Sequence, residues 1–176
     1  GMMHASFGSV TVLHKTWVND FYKAKLKVRK NTLNGKTIGL IGCGNIGRRG
    51  AKRCLPRELN LRAYDPSKPA SESPDGVEVV RHLDRIFKEC DYVSLHCPNT
   101  PVTKNMVNKE RLAMMKPTAF LINTARGGCV DEDALYEACK NGVIAGAGLD
   151  AIKKEPVDPA NPLLTLDNVI IYPHIG

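Results

Sequence analysis

Apolar positions along this chain follow two alternating rhythms. From Thr37 onward, short unbroken apolar runs alternate with segments in which apolar residues recur every three or four positions, as strands and helices do in turn. The strands predicted are Thr37–Ile41, Leu61–Tyr64, a short Val77–Val80, Tyr92–His96, Ala119–Asn123, Ile144–Leu149 and Val169–Tyr172. Helices are expected between most of them: Ile46 to about Leu55, Leu83–Glu89, Lys109–Met115 and Glu132–Lys140. The last is the best marked, with Asp131 as N-cap, Glu132 and Asp133 at the positive end of the helix dipole, and Gly142 placed to stop it. Strands and helices in this alternation build an α/β fold, a doubly wound parallel sheet with helices on both faces.

Ahead of the first strand, Val10, Val12, Leu13, Trp17, Val18, Phe21 and Tyr22 recur at roughly helical spacing and predict a leading amphipathic helix within Ala5–Lys27. It either lies back on its own sheet or packs on a partner. Residues 1–32 are therefore read as a leading helix and connector, a candidate arm for a homodimer, and 33–176 as one domain. The stretch Ser67–Asp75, rich in Pro and Ser, is expected to be a surface loop.

Composition narrows the class. With 176 residues, 43% apolar and 24% charged, the chain has the make-up of a globular domain with one core. No apolar run approaches the roughly 18 residues that span a bilayer, and no basic-then-apolar leader opens the chain, so a cytoplasmic protein without a membrane partner is expected. Gly1 before Met2 resembles a cloning scar. Six cysteines, Cys43, Cys54, Cys90, Cys97, Cys129 and Cys139, show no C-x-x-C pairing, so free thiols are expected and no metal site. The net charge is +7, with its densest run at Lys23, Lys25, Lys27, Arg29 and Lys30. Those residues alternate with Ala24, Leu26 and Val28 and no stacking aromatics follow, so a solvated edge fits better than a nucleic-acid groove.

Chemistry enters at Gly42-Cys43-Gly44-Asn45-Ile46-Gly47, a G-x-G-x-x-G run between the first strand and the first helix. Gly42 permits the tight turn, Gly44 lets backbone approach a pyrophosphate, and Gly47 lets helix and strand pack closely. The helix N-terminus offers free amides and partial positive charge to the anion. Eighteen positions beyond Gly47, Asp65 ends the next strand, where a carboxylate accepts hydrogen bonds from ribose hydroxyls and repels a 2′-phosphate. A Rossmann-type fold with NAD as cofactor is the reading, although Lys68 nearby leaves NADP open.

Three further segments leave polar residues at the carboxyl ends of strands, where ligands sit in open parallel sheets. They are Asn123-Thr124-Ala125-Arg126-Gly127-Gly128, Asp150 through Lys154-Glu155-Pro156, and Tyr172-Pro173-His174-Ile175-Gly176. An arginine followed by two glycines either meets an anion, its fork matching a carboxylate, or forms a salt bridge to Asp131 or Glu132.

With NTARGG, GLDAIKKEP and YPHIG following GCGNIG in order, the chain from about Leu33 to Gly176 resembles the D-isomer-specific 2-hydroxyacid dehydrogenases, a family that includes phosphoglycerate, glycerate, lactate and formate dehydrogenases. That resemblance implies His174 as general acid and base, Glu155 as the partner that orients its imidazole, and Arg126 as the grip on the substrate carboxylate. It implies that Asp150 holds the nicotinamide carboxamide, that Asn45 and Ile46 donate backbone amides to the pyrophosphate, and that His96, Cys97 and Pro98 line the adenine side. Thr103, Thr124, Ala125, Arg126, His174 and Gly176 complete the expected cofactor contacts. The substrate implied is a small 2-hydroxy or 2-oxo acid. One departure stands out: where the family usually has a glycine before the second strand, this chain reads Leu55-Pro56-Arg57-Glu58-Leu59, so the helix must end differently, with Pro56 as its stop. Family members also carry a substrate domain that this chain lacks, so NAD binding without turnover is expected of it. An NAD-sensing protein like the corepressors that resemble the same family is the alternative.

Overall fold

The computed structural model describes residues 33–67 and 76–175. The leading helix, Lys68, most of the Pro/Ser-rich loop and Gly176 lie outside the described residues. The strands are β1 (Thr37–Ile41), β2 (Asn60–Tyr64), β3 (Val77–Val79), β4 (Tyr92–Leu95), β5 (Phe120–Asn123), β6 (Gly146–Leu149) and β7 (Val169–Ile171). The helices are α1 (Asn45–Cys54), α2 (Leu83–Glu89), α3 (Lys109–Met114) and α4 (Glu132–Lys140). They form one seven-stranded sheet in the order β3-β2-β1-β4-β5-β6-β7. Every pairing is parallel.

Alternation along the strands divides the apolar residues between two faces. Ile38, Leu40, Leu61, Ala63 and Ile122 pack with Ala51 and Cys54 of α1 on one face, where Tyr92 and Phe120 stack at 5.7 Å. Ile41, Val93, Leu95 and Leu121 pack with Ile86 and Phe87 of α2, Leu112 of α3 and Leu135 of α4 on the other. Ile86 and Phe87 are fully buried, each a gain of about 1.5–3 kcal/mol over exposure. Helices thus cover both faces, as the pattern predicted.

Three local differences have physical causes. The strand expected from Ile144 begins only at Gly146, because the Val143 amide turns back to the Ala138 carbonyl at 2.9 Å to close the end of α4. β4 ends one residue early at Leu95, although the His96 amide still bonds the Ile41 carbonyl at 2.7 Å. After α1 the chain makes a 3-10 turn at Leu55–Arg57, and Glu58 takes the left-handed conformation (φ 55°) at its end. Its carbonyl accepts the Gly35 amide at 3.1 Å, and its carboxylate accepts Asn34 Nδ2 at 3.2 Å. Glu58 therefore makes the turn for which a glycine is usually favoured.

The register positions the site. Tyr64 pairs with Ile41, Ile41 with Leu95, Leu95 with Asn123, Asn123 with Leu149 and Leu149 with Ile171. One rank of residues thus runs across the sheet at the carboxyl ends of the strands. The chain leaves that rank at Asp65, Gly42, His96, Thr124, Asp150 and Tyr172, so residues far apart in sequence emerge along one edge.

Candidate active site and cofactor cleft

β1 and β4 are neighbours in the sheet, but the chain leaves β1 for β2 on one side and returns to β4 on the other. Loops diverge at such a switch point and open a crevice. Here the crevice is a cleft of about 610 Å³ lined by Gly42, Gly44, Asp65, His96, Cys97, Pro98 and Thr103, together with Ile41, Tyr64, Leu83, Val102, Met106 and Arg111.

Its floor is the glycine turn. Gly42 has φ +95°, and a β-carbon there would lie 2.7 Å from the His96 carbonyl oxygen. A β-carbon on Gly47 would lie 2.3 Å from the Gly42 carbonyl oxygen, so this helix–strand approach demands glycine. Gly44 differs: nothing lies within 4 Å of a β-carbon built there, so its missing side chain leaves open space on the cleft. Gly44 is the N-cap of α1 and offers no side-chain cap, and no acidic residue occupies the first turn. Asn45 and Ile46 are exposed there, Ile46 at 68%.

Asp65 closes the turn from the β2 side. Its Oδ2 accepts the Cys43 amide at 2.8 Å, and Oδ1 accepts the Ser67 amide at 3.0 Å and hydroxyl at 2.7 Å. Across the cleft, His96 Nε2 meets Ser94 Oγ at 3.0 Å, while His96 Nδ1 is buried with no hydrogen-bond partner. Burial pushes this imidazole below its ordinary pKa. A glycine cradle with open space, a carboxylate at the end of β2 and an orphaned ring nitrogen in the cleft wall fit a dinucleotide.

Further along the edge, Asn123 organises the arginine segment. It is fully buried; its Oδ1 accepts the Ala125 amide at 3.1 Å, and its Nδ2 donates to the carbonyls of Arg126 at 3.0 Å and Ala151 at 3.3 Å. Thr124 is half-buried and Ala125 buried. Arg126 is exposed, and one guanidinium nitrogen donates to the Ala125 carbonyl at 2.7 Å. Among the described residues it makes no ion pair: Asp131 caps α4 by accepting the Ala134 amide, and Glu132 accepts the Lys153 amide and Asn161 Nδ2. Both salt-bridge alternatives are thereby set aside.

His174 Nδ1 lies 2.8 Å from Glu155 Oε2, and Glu155 Oε1 accepts the Ile152 amide at 3.2 Å. A carboxylate only accepts, so the proton between the two sits on Nδ1. The His174 hydrogen bond and the Ile152 amide together hold Glu155 below the usual carboxylate range. His174 itself has φ 57°. The segment is pinned by Asp150, 2% exposed, whose Oδ1 accepts the Ile175 amide at 3.1 Å. The structure therefore brings Glu155, His174 and Asp150 together and sets Arg126 beside them through Asn123.

The contacts that Asn123, Ser94 and Glu132 make were not read from the sequence. Asn123 left one signal, an amide closing the otherwise apolar run Phe120-Leu121-Ile122. Glu132 left none beyond its place in the first turn of a helix, where an acid is explained already by the dipole.

Comparison with known proteins agrees with this geometry. The sequence model of the D-isomer specific 2-hydroxyacid dehydrogenase NAD-binding domain matches residues 1–176. The chain belongs to this family. The hydroxypyruvate reductase of Thermotoga maritima is 44% identical over 175 residues, covering 98% of this chain and 54% of that protein. The D-3-phosphoglycerate dehydrogenase of Methanocaldococcus jannaschii is 46% identical over 145 residues, covering 82% of this chain and 28% of that protein. Among solved structures, the NAD-dependent formate dehydrogenase of Staphylococcus aureus in complex with NAD superposes with a TM-score of 0.83 at 28% identity, covering 96% of this chain and 50% of that one. The chain spans about half the length, or less, of these relatives. Within the 2-hydroxyacid dehydrogenase family this chain is the NAD-binding domain, and NAD is its cofactor. No helix among the described residues is long and apolar enough to cross a membrane.

Proposed function

We propose that the whole protein moves a hydride between NAD(H) and a D-2-hydroxy acid or its 2-oxo counterpart, as a phosphoglycerate dehydrogenase or a glyoxylate/hydroxypyruvate reductase does. The observation that carries this reading is the Glu155–His174 pair, held at 2.8 Å on the same sheet edge as the cofactor cleft. When bound, NAD supplies the hydride acceptor or, reduced, the donor.

The chain's own residues do the rest. Glu155 fixes the His174 ring with Nδ1–H inward, so Nε2 gives a proton to the carbonyl oxygen of a 2-oxo acid or takes one from the hydroxyl in reverse. Arg126, free of competing carboxylates, grips the substrate carboxylate with its planar fork and polarises the adjacent carbonyl. Asp150 holds the carboxamide end of the cofactor. Asn45 and Ile46 turn their amides to the pyrophosphate, and Asp65 meets the ribose hydroxyls. Arg126 and His174 are both exposed here, and water at the reacting carbon competes with every one of these contacts. We therefore assign turnover to the whole protein with its cleft closed, and NAD binding alone to this chain. A cytoplasmic homodimer through residues 1–32 belongs to the same reading, and light scattering tests it.

Calorimetry of the chain with NADH is expected to show one site. In the complete enzyme, His174→Ala is expected to keep NADH binding and to lower turnover about 10²–10⁴-fold, the usual share of a general acid or base. Unchanged turnover removes His174 from the role.

A further inference from the structure

We propose that Asn123 is a positioning residue for the hydride transfer: its buried amide bridges the segment carrying Arg126 to the segment leading to Glu155, and so sets where the carboxylate grip stands relative to the proton donor. Its part in the reaction rests on the roles proposed for Arg126 and His174; the bridge itself does not.

Asn123 closes β5 after Phe120, Leu121 and Ile122, in register with Leu95 of β4 on one side and Leu149 of β6 on the other. An apolar side chain would extend that buried run. A buried amide instead costs stability unless its groups are bonded. Here each polar atom is used: Oδ1 accepts the Ala125 amide at 3.1 Å, and Nδ2 donates to the Arg126 carbonyl at 3.0 Å and the Ala151 carbonyl at 3.3 Å. The Asn123 backbone carbonyl also accepts the Asp150 amide at 2.8 Å.

Two segments meet at this amide. On one side the Ala125 amide and the Arg126 carbonyl are both held, which fixes the backbone from Ala125 through Arg126. On the other, Ala151 leads to Ile152, whose amide donates to Glu155 Oε1 at 3.2 Å, and Glu155 Oε2 lies 2.8 Å from His174 Nδ1. Asp150 ties the same unit together by accepting the Ile175 amide at 3.1 Å. Among the described residues no hydrogen bond or ion pair joins Arg126 directly to Glu155 or His174. Gly127 packs on the Ile152 backbone and keeps the two segments close. Hydrogen bonds are directional where packing is not, so the orientation of one segment on the other comes from Asn123.

The donor character of Nδ2 is what the bridge needs, and one isostere inverts it. Asn123→Asp keeps the shape and the acceptor for the Ala125 amide. An ionised carboxylate only accepts, however, and would face two carbonyl oxygens without water. Burial and those oxygens raise its pKa; the Asp150 and Glu155 carboxylates add to this, while the Arg126 guanidinium and a protonated His174 oppose it. Once protonated, the new carboxyl donates to one of the two carbonyls and restores part of the bridge.

The test compares Asn123→Asp with the wild type in the complete enzyme, using whichever of glyoxylate, hydroxypyruvate and 3-phosphoglycerate the wild type turns over. At about pH 8, kcat/KM is expected to fall about 10²-fold, the cost of misplacing reacting groups by roughly 1 Å, with KM for the acid rising and kcat falling together. NADH affinity is expected to stay within about threefold, because the glycine turn is built by other contacts. As pH falls to about 5.5, the deficit against wild type is expected to shrink about tenfold, since only the protonated form of the variant holds the bridge. A deficit that does not change with pH, or unchanged KM and kcat per folded molecule, overturns the proposal. Isotope-edited NMR of the wild-type chain is expected to show both Asn123 Nδ2 protons exchanging slowly with solvent. Rapid exchange at either one removes the bridge and the proposal with it, even where Asn123→Asp does not fold. A wild type that turns over none of these acids overturns the reading of the reaction instead, and those two protons then decide the bridge.

Discussion

Glu155 Oε2 lies 2.8 Å from His174 Nδ1, although 19 residues separate them, because β7 runs beside β6 and returns the chain to the same edge. In the proposed mechanism the pair sets which ring nitrogen is available for proton transfer. Glu155→Gln keeps the size and an accepting oxygen but removes the charge. In the complete enzyme it is expected to lower turnover about 10–100-fold while leaving NADH affinity unchanged. Steady-state kinetics with a parallel fluorescence titration measures both.

The same pair has a pH signature. The His174 hydrogen bond and the Ile152 amide hold Glu155 below its ordinary range, so its folded value is depressed. The stabilisation this represents is fully present above the unfolded glutamate value of about 4.3, and is lost as pH falls through the lower, folded value. Carboxyl NMR of Glu155 is expected to titrate below that ordinary value, and in His174→Ala to move back up toward it.

Glycines of the site divide by what faces them. Gly44→Ala adds a methyl group into open cleft, so the fold is expected to keep its melting temperature while NADH binds at least about tenfold more weakly, a loss of about 1.4 kcal/mol. Gly127→Ala places its β-carbon 1.9 Å from the Ile152 carbonyl carbon, where backbone has to move. It is expected to destabilise the chain by about 3 kcal/mol or more. Thermal melts with and without NADH separate the two effects, and a reversed ranking contradicts the geometry.

Much of this was legible in the sequence because parallel strands buried on both faces leave unbroken apolar runs, and each run here became a strand. The glycine turn was legible from its spacing: Gly47 is fixed by the Gly42 carbonyl five positions away, although the His96 backbone that faces Gly42 comes from the neighbouring strand. Asn123 and Glu132 were not, since their partners at Ala151, Lys153 and Asn161 come from another strand–loop unit. Nor does spacing reveal that Cys129 meets the Pro98 carbonyl of the loop after β4, because only the order of β4 and β5 in the sheet brings the two segments together. The arm expected from Trp17 and its neighbours lies outside the described residues.

Glu132 is the hinge pin of the loop that carries Glu155. From the first turn of α4 it accepts the Lys153 amide with one oxygen and Asn161 Nδ2 with the other, spanning the loop on both sides of Glu155. Glu132→Ala releases both donors to water. It is expected to cost about 1–3 kcal/mol of stability and to speed amide exchange at Lys153. In the complete enzyme, kcat falls while NADH affinity holds, and Glu132→Gln, which keeps an accepting oxygen, restores part of it. Loss of NADH binding in Glu132→Ala contradicts a role confined to this loop.

Asp91 gives the sheet an acid-sensitive brace remote from the cleft. It sits just before β4; its Oδ2 accepts the Thr37 amide at 2.9 Å where β1 begins, and its Oδ1 accepts Lys116 Nζ at 3.1 Å ahead of β5. Partial burial alone would raise its pKa, but the Thr37 amide and the Lys116 charge outweigh it and hold the carboxyl below its ordinary value. A depressed folded value means that the stabilisation is complete above the unfolded aspartate value of about 3.9 and fades as pH falls through the folded one. Asp91→Asn keeps the shape but loses the charge that Lys116 meets. Urea unfolding at pH 7 is expected to show a loss of about 1–2 kcal/mol, in the range of a hydrogen bond to a charged group. The difference between wild type and variant is expected to shrink as pH falls below 4, because protonated Asp91 then resembles the asparagine. A difference that stays constant down to pH 2 removes the carboxylate from this role and leaves only its shape.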